Sequence, residues 1–257
     1  MNAPSEPASS TASDVDVARA IAESAAAVLV AARASYDGDD LTVLKNLGDS
    51  TAQDHIAGRL SALRPDDEVL SEEAKDSPAR LSASRVWIID PLDGTREYSE
   101  GRDDWAVHVA LWEDGELAAS AVALGGPKTV LTTADVPMLR GAAGAPIRIA
   151  VSRSRPPALV TTVAEALGAE LVAMGSAGVK VCSVVNGVTD AYVHGGGQYE
   201  WDSAAPVAVA RAAGLHTSRL DGSPLVYNRE DPYLPDLVVC RPELAQTLLD
   251  VIARAEQ

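Results

Sequence analysis

Asp90 and Asp93 stand three positions apart in the run Trp87-Ile88-Ile89-Asp90-Pro91-Leu92-Asp93-Gly94-Thr95-Arg96-Glu97-Tyr98. The apolar stretch reads as a strand that delivers Asp90 at its C-terminal end. Pro91, with no N–H to donate, stops the ladder, and Gly94 permits a tight turn and close backbone approach. Two carboxylates so spaced can converge on one point, and the Leu92 carbonyl can join them. Hard divalent cations such as Mg²⁺ take oxygen ligands of this kind. Glu72 ends a second apolar run, Val69-Leu70-Ser71-Glu72-Glu73. Asp202 precedes an apolar helical stripe in Tyr199-Glu200-Trp201-Asp202-Ser203-Ala204-Ala205. Singly, each has a plain structural reading: an Asp-Gly turn at Asp93, a surface charge at Glu72, a helix N-cap at Asp202. Three acidic stations, each at a strand end or a helix start, are harder to dismiss together.

Other chemistries drop out. Thr51-Ala52-Gln53-Asp54 fits a capping box with Asp in place of the usual Glu, a reading that weighs equally with a catalytic Asp54. The four histidines, His55, His108, His194 and His216, lack zinc-ligand spacing. His108, inside an apolar strand, reads as a satisfied core histidine. Cys182 is followed six residues on by Val188, so a cysteine-nucleophile phosphatase loop is missing. Asp14-Val15-Asp16 has no preceding apolar strand and is no aspartyl-phosphate site. Neither a G-x-x-x-x-G-K loop nor a dinucleotide fingerprint is present.

The elements that position these residues follow from periodicity. Residues 1–12, rich in Ser, Ala and Pro, read as a disordered tail. A helix starts near Ser13 with an apolar stripe at Val17, Ile21, Ala25, Val28, Leu29 and Ala32. A second helix is expected from Thr51 to about Leu63, ended by Arg64-Pro65. Short strands follow at 68–70 and 85–89. Residues 105–112 pair with 116–124 through an Asp114-Gly115 hairpin turn. Weak patterning between Gly125 and Pro146 places a domain junction there, dividing an N-terminal α+β part (13–140) from a C-terminal α/β part (141–257). The latter alternates strands at 147–151, 171–174, 191–193 and 237–240 with helices at 157–166, 176–185, 203–213 and 244–254.

Composition bounds the function. The chain has 257 residues, 47% of them apolar, with 21 basic and 37 acidic side chains and a net charge of −16. Such acidity argues against nucleic-acid partners, which need clustered Lys and Arg, and against anionic membrane surfaces. Two cysteines make no disulfide framework. No apolar run reaches membrane-spanning length, and the N-terminus lacks the regions of a signal peptide. A cytoplasmic location is expected.

Asp90-Pro91-Leu92-Asp93-Gly94-Thr95, with Glu72 upstream and Trp201-Asp202-Ser203-Ala204-Ala205 downstream, resembles the inositol monophosphatase superfamily of Mg²⁺-dependent, lithium-sensitive phosphomonoesterases. Leu70-Ser71-Glu72-Glu73, the Arg96-Glu97-Tyr98 continuation, Val151-Ser152-Arg153-Ser154, and Gly175-Ser176 with Lys180 resemble its CysQ-type 3′(2′),5′-bisphosphate nucleotidase branch. Three features depart from that pattern. Arg155 replaces a His, the D-x-S-P-V-T-x-x-D segment is shortened to Asp49–Asp54, and Ser203 replaces a common Thr.

The resemblance implies an α/β (α+β) fold, the sugar-phosphatase αβαβα layered sandwich. It implies two or three Mg²⁺ held by Glu72, Asp90, the Leu92 carbonyl, Asp93 and Asp202, with Asp90 bridging two of them. Thr95, partnered by Asp54, would orient the attacking water, and Glu72 joins them in the catalytic set. The Gly94 and Thr95 amides would hold phosphate oxygens, while Arg153, Ser176 and Lys180 face the nucleotide and Asp202 also touches substrate. Arg148, Arg153 and Arg155 are candidates for the second phosphate, with plain surface charge an equal reading. The implied reaction removes the 3′-phosphate of adenosine 3′,5′-bisphosphate, with the 5′-phosphosulfate analogue as a further substrate, in sulfur assimilation. Inositol-1-phosphate and fructose-1,6-bisphosphate are the alternatives within the fold. A non-catalytic acidic protein that binds divalent metal is the alternative of another class. Homodimers are common in that family, so a second copy of the chain is an expected partner.

Overall fold

Two long helices open the chain in the computed structural model, which describes residues 12–125, 129–137, 146–154 and 156–255. The expected N-terminal tail (residues 1–11), the boundary at 140/141 and Arg155 lie outside the described residues. Helix α1 (Asp14–Ser35) is capped by Ser13, whose hydroxyl accepts from the Asp16 N–H, and it buries Val17, Ile21, Ala22, Ala25 and Leu29. Helix α2 runs Leu41–Leu63 with Asp40 as N-cap. The second helix therefore begins ten residues before Thr51, and Thr51 is no cap. Leu44, Gly48, Ala52, Ile56 and Leu60 form a buried stripe at four-residue spacing through the whole element.

Strands β1 (Glu68–Ser71), β2 (Arg85–Asp93), β3 (Ala106–Glu113), β4 (Glu116–Leu124) and β5 (Thr129–Thr132) form the first sheet in sequential order. β1 and β2 are parallel and the other pairs antiparallel. Asp114 and Gly115 both have positive φ (47° and 102°), as the two-residue hairpin between β3 and β4 requires. A five-residue helix, α3 (Thr95–Ser99), follows β2 directly.

The second sheet has the order β7-β6-β8-β10-β9, from β6 (Arg148–Ser152), β7 (Glu170–Met174), β8 (Ala191–Tyr199), β9 (His216–Ser218) and β10 (Tyr233–Cys240). Its helices are α4 (Ala158–Leu167), α5 (Ala177–Val185), α6 (Glu200–Ala212) and α7 (Ala245–Ala255). Periodicity missed β5 and β9, each only three or four residues long. It also began α6 at Ser203 rather than Glu200.

Three apolar clusters lie in the gaps between layers. One joins α1 and α2 to the first sheet. A second joins the first sheet through α5 and α6 to the second sheet. The third joins the second sheet to α4 and α7. The layers are therefore α, β, α, β, α, the sandwich expected from the resemblance. With no Phe, the middle gap is filled largely by Ala, Val and Leu, and small residues such as Ala204, Ala205 and Ala210 let α6 approach the sheet closely. Burying each Val or Leu contributes about 1.5–3 kcal/mol. Among the described residues no helix is long and apolar enough to cross a membrane.

Candidate active site

The site lies where the C-terminal end of β2 meets the N-terminal turns of α5 and α6. Asp90, Asp93 and Asp202 each place a carboxylate oxygen within 4.8 Å of the others. Asp90 is 1% exposed, and its Oδ2 has no hydrogen-bond partner. Its Oδ1 accepts from the Leu92 N–H at 3.0 Å. The turn beyond depends on Gly94, whose φ of +89° suits glycine and opens α3.

Asp93 is held from the other half of the chain. Its carboxylate accepts from the Ser176 hydroxyl (2.5 Å), the Ala177 N–H (3.1 Å) and the Gly178 N–H (2.6 Å) at the start of α5. Asp202 occupies the third position of α6 and accepts from the Tyr199 N–H at 2.6 Å. The N-cap itself is Tyr199, so Asp202 reaches back to it rather than capping the helix. Glu72 follows the last residue of β1, at the exposed rim of the acidic cleft.

These carboxylates resist ionising together. Burial first, then Asp93, Glu72 and Asp202, hold the Asp90 carboxyl well above its ordinary value. Withdrawal from water and then Asp202, Asp93 and Glu73 raise Glu72 to about 7. Burial and then Asp93 raise Asp202 to about 7, opposed by the Tyr199 N–H and Lys180. Three carboxylates that converge on one point, with an orphaned buried oxygen among them and the charge of Glu72 nearby, fit a divalent cation. All the donors are hard oxygens, the set that Mg²⁺ accepts.

Thr95 has a different partner from the one expected. Its hydroxyl donates to the Leu92 carbonyl, 3.1 Å away, and the carboxylate of Asp49 lies beside it. Asp54 is exposed, so the pairing of Thr95 with Asp54 is corrected to Asp49. The reason is the register of α2. Asp49 follows the buried Gly48 and faces the β2 turn, whereas Asp54 lies five residues on, on the solvent side. Burial and then Glu73 raise Asp49 to about 6, opposed by the Thr95 hydrogen bond and Lys45. The signal was present in the sequence: a helix read from Asp40 carries its stripe past Gly48 and brings Asp49 to the site.

His108 is the buried strand histidine that its position predicts, but only one of its ring nitrogens is satisfied. It is fully buried, with Nδ1 3.1 Å from the Trp201 carbonyl and Nε2 3.3 Å from Asp93 Oδ2. A carbonyl only accepts, so Nδ1 carries the proton. Nε2 then has no donor to meet, and it is orphaned. His108 therefore ties the first turn of α6 to strand β3 through the Trp201 carbonyl, with Nε2 lying beside Asp93.

Beside the carboxylates opens a cleft of about 490 Å³ lined by Thr95, Ser176, Lys180, Tyr199, Asp202 and Tyr233, among others. Lys180 is 6% exposed and donates to the Gly175 and Ser176 carbonyls at 3.3 and 2.5 Å. Burial lowers its pKa, and Asp93, Glu97 and Asp202 oppose that shift. The other basic candidates lie elsewhere. Arg153 pairs with Asp104 at 2.5 Å and lines a neighbouring depression with Arg102. Arg148 bonds Asp190 and the Gly187 carbonyl, where it serves as a structural tie.

The fold and this carboxylate site define a class, and comparison with known proteins agrees: the chain belongs to the inositol monophosphatase family, whose sequence profile matches residues 8–255. Over 238 residues it is 52% identical to a 3′-phosphoadenosine 5′-phosphate phosphatase of Mycobacterium tuberculosis, covering 89% of each chain. It is 31% identical over 199 residues to the 3′(2′),5′-bisphosphate nucleotidase CysQ of Escherichia coli, covering 72% of this chain and 80% of that one. The crystal structure of CysQ from Bacteroides thetaiotaomicron superposes with a TM-score of 0.75 at 24% identity, over 89% of this chain and 97% of that one.

Proposed function

We propose that the chain is a Mg²⁺-dependent phosphomonoesterase that removes the 3′-phosphate of adenosine 3′,5′-bisphosphate, giving AMP. The observation that carries this reading is the Asp90–Asp93–Asp202 cluster, with Glu72 near it, beside the Thr95–Asp49 pair, in a chain half-identical to a phosphatase named for that substrate. Glu72, Asp90, Asp93, Asp202 and the Leu92 carbonyl would hold the metal. Mg²⁺ bound there supplies Lewis acidity and neutralises phosphate charge.

The chain's own groups do the rest. With its proton engaged by the Leu92 carbonyl and Asp49 beside it, Thr95 Oγ1 presents lone pairs that fix a water O–H. Asp49, raised toward neutrality, is matched to accept a proton from that arrangement. The Gly94 and Thr95 amides at the start of α3 face phosphate oxygens, and Lys180 supplies charge in the cleft. The net charge of −16 and the lack of a spanning helix among the described residues support action in the cytoplasm.

A phosphate-release panel tests the reading. With Mg²⁺, adenosine 3′,5′-bisphosphate is expected to exceed inositol-1-phosphate in kcat/KM by at least about 10-fold, since a charge-assisted contact contributes about 1.5–3 kcal/mol. Equal values would favour an inositol phosphatase. Release from neither nucleotide, inositol phosphate nor fructose-1,6-bisphosphate would leave a metal-binding protein without turnover.

A further inference from the structure

One wall of the cleft is aromatic. The chain has no phenylalanine, four tryptophans and six tyrosines, and Tyr199, Trp201 and Tyr233 gather here. Tyr199 stacks on Trp201 with ring centroids 4.8 Å apart and planes 9° apart. Tyr233 meets Tyr199 edge-on at 5.9 Å. The two tyrosines are cross-strand partners on β8 and β10, so the ladder fixes their spacing. Gly197 has a φ of +81°, and a Cβ there would come within 2.2 Å of the Tyr233 hydroxyl, so only glycine leaves room for that ring.

Despite this ordering, Tyr199 and Tyr233 remain 45% and 42% exposed, and both line the cleft. Trp201 covers one face of Tyr199 and does not line the cleft with it. Rigid rings left wet on one side are a surface for another planar group. Their position relative to the metal ligands is fixed within a single helical turn, because the Tyr199 N–H is donated to Asp202. The Trp201 carbonyl also accepts from His108, which touches Asp93.

We propose that Tyr199, backed by Trp201 and braced by Tyr233, is the platform on which the heterocyclic base of the substrate stacks, and that it sets the preference for a nucleotide over a polyol phosphate. The inference rests on the nucleotide reading above and adds the residues that enforce it. A sugar or inositol ring has no π face to lay on Tyr199; a purine does. Stacking of a base on an aromatic ring changes affinity by about 5–150-fold.

The test compares wild type, Tyr199→Ala and Tyr199→Phe on adenosine 3′,5′-bisphosphate and on glycerol-2-phosphate, which has no ring. Binding of AMP is followed in parallel by tryptophan fluorescence. Tyr199→Ala is expected to raise KM for the nucleotide by about 10-fold with little change in kcat. Its loss on the nucleotide should exceed its loss on glycerol-2-phosphate by at least about 5-fold, AMP affinity should fall in step, and Tyr199→Phe should restore both. A nucleotide KM within twofold of wild type in Tyr199→Ala overturns the platform and leaves the nucleotide reading standing. So does an equal loss on both substrates, which marks a structural role. A wild-type enzyme that releases phosphate from inositol-1-phosphate but from no nucleotide overturns both.

Discussion

The Ser176 hydroxyl donates to Asp93 Oδ2 across 2.5 Å, joining residues 83 positions apart in sequence. Ser176 lies at the head of α5, accepts from the Val179 N–H as its N-cap, and holds a φ of +49° to do so. The same hydroxyl thus starts a helix and aims a carboxylate of the acidic cluster. Ser176→Ala loses both bonds while keeping the strained backbone, whereas Ser176→Gly loses the bonds and relieves the strain. Ser176→Ala is expected to be the less stable of the two by about 1 kcal/mol. Both should lose about 10–100-fold in metal affinity. Thermal unfolding without metal and calorimetric Mg²⁺ titration read the two effects separately.

Asp49 and Asp54 provide the clearest contrast. Asp49→Asn removes the carboxylate that engages Thr95 and should lower kcat by at least about 100-fold, as loss of acid–base assistance does. Asp54→Asn, on the exposed side of α2, should stay within about twofold of wild type. Comparable losses in the two variants would return Asp54 to the site.

Asp90→Asn tests the orphaned oxygen. A residue that binds the metal directly is less replaceable than one that merely orients a ligand, whose loss costs about 10–100-fold. Activity should fall by more than about 100-fold while the circular dichroism stays native. Half the wild-type activity at saturating Mg²⁺ would show that Asp90 is not a ligand. Excess EDTA should abolish wild-type turnover for the same reason.

The carboxyl shifts set a pH dependence with a definite sign. Glu72 and Asp202 titrate near 7 in the folded chain and Asp49 near 6, against about 4 when unfolded. Between those values the native state holds more protons than the unfolded one, so stability falls as pH rises. Asp76, held low by its hydrogen bond to Arg80, acts in the opposite sense, but only as pH drops below about 4. Burial holds His108, His194, His216 and His55 low, and these act in the opposite sense up to about pH 6.5. The metal-free protein should therefore lose Tm from about pH 6.5 to 7.5. Mg²⁺, which needs the ionised carboxylates, should restore most of that loss near pH 7.5 and little near pH 5. A metal-free Tm that rises across this range would contradict the crowding of these acids.

The Asp90–Asp93 pair was legible in the sequence because its geometry is local. Pro91 and Gly94 shape the turn that carries Asp90 and Asp93, and the apolar run before Glu72 marks the strand it follows, whereas Asp202, expected just before a helix, lies in that helix's third position. The hairpin at Asp114-Gly115 and the first helix from Ser13 were legible for the same reason. What the tertiary structure decided were contacts between elements distant in sequence. Asp49 reaches Thr95 only because α2 starts at Asp40 and packs its Gly48 face on the β2 turn. His108 alternates on a strand like any core residue; Asp93 reaches it from the adjacent strand β2, and only the arrival of α6 places the Trp201 carbonyl at Nδ1. Arg153 sits in a recognisable motif, yet Asp104, 49 residues away, holds its guanidinium outside the main cleft. The spacing of residues along one turn is set by backbone geometry, which local sequence encodes. The partner of a side chain across a layer is set by packing, which involves the whole chain at once.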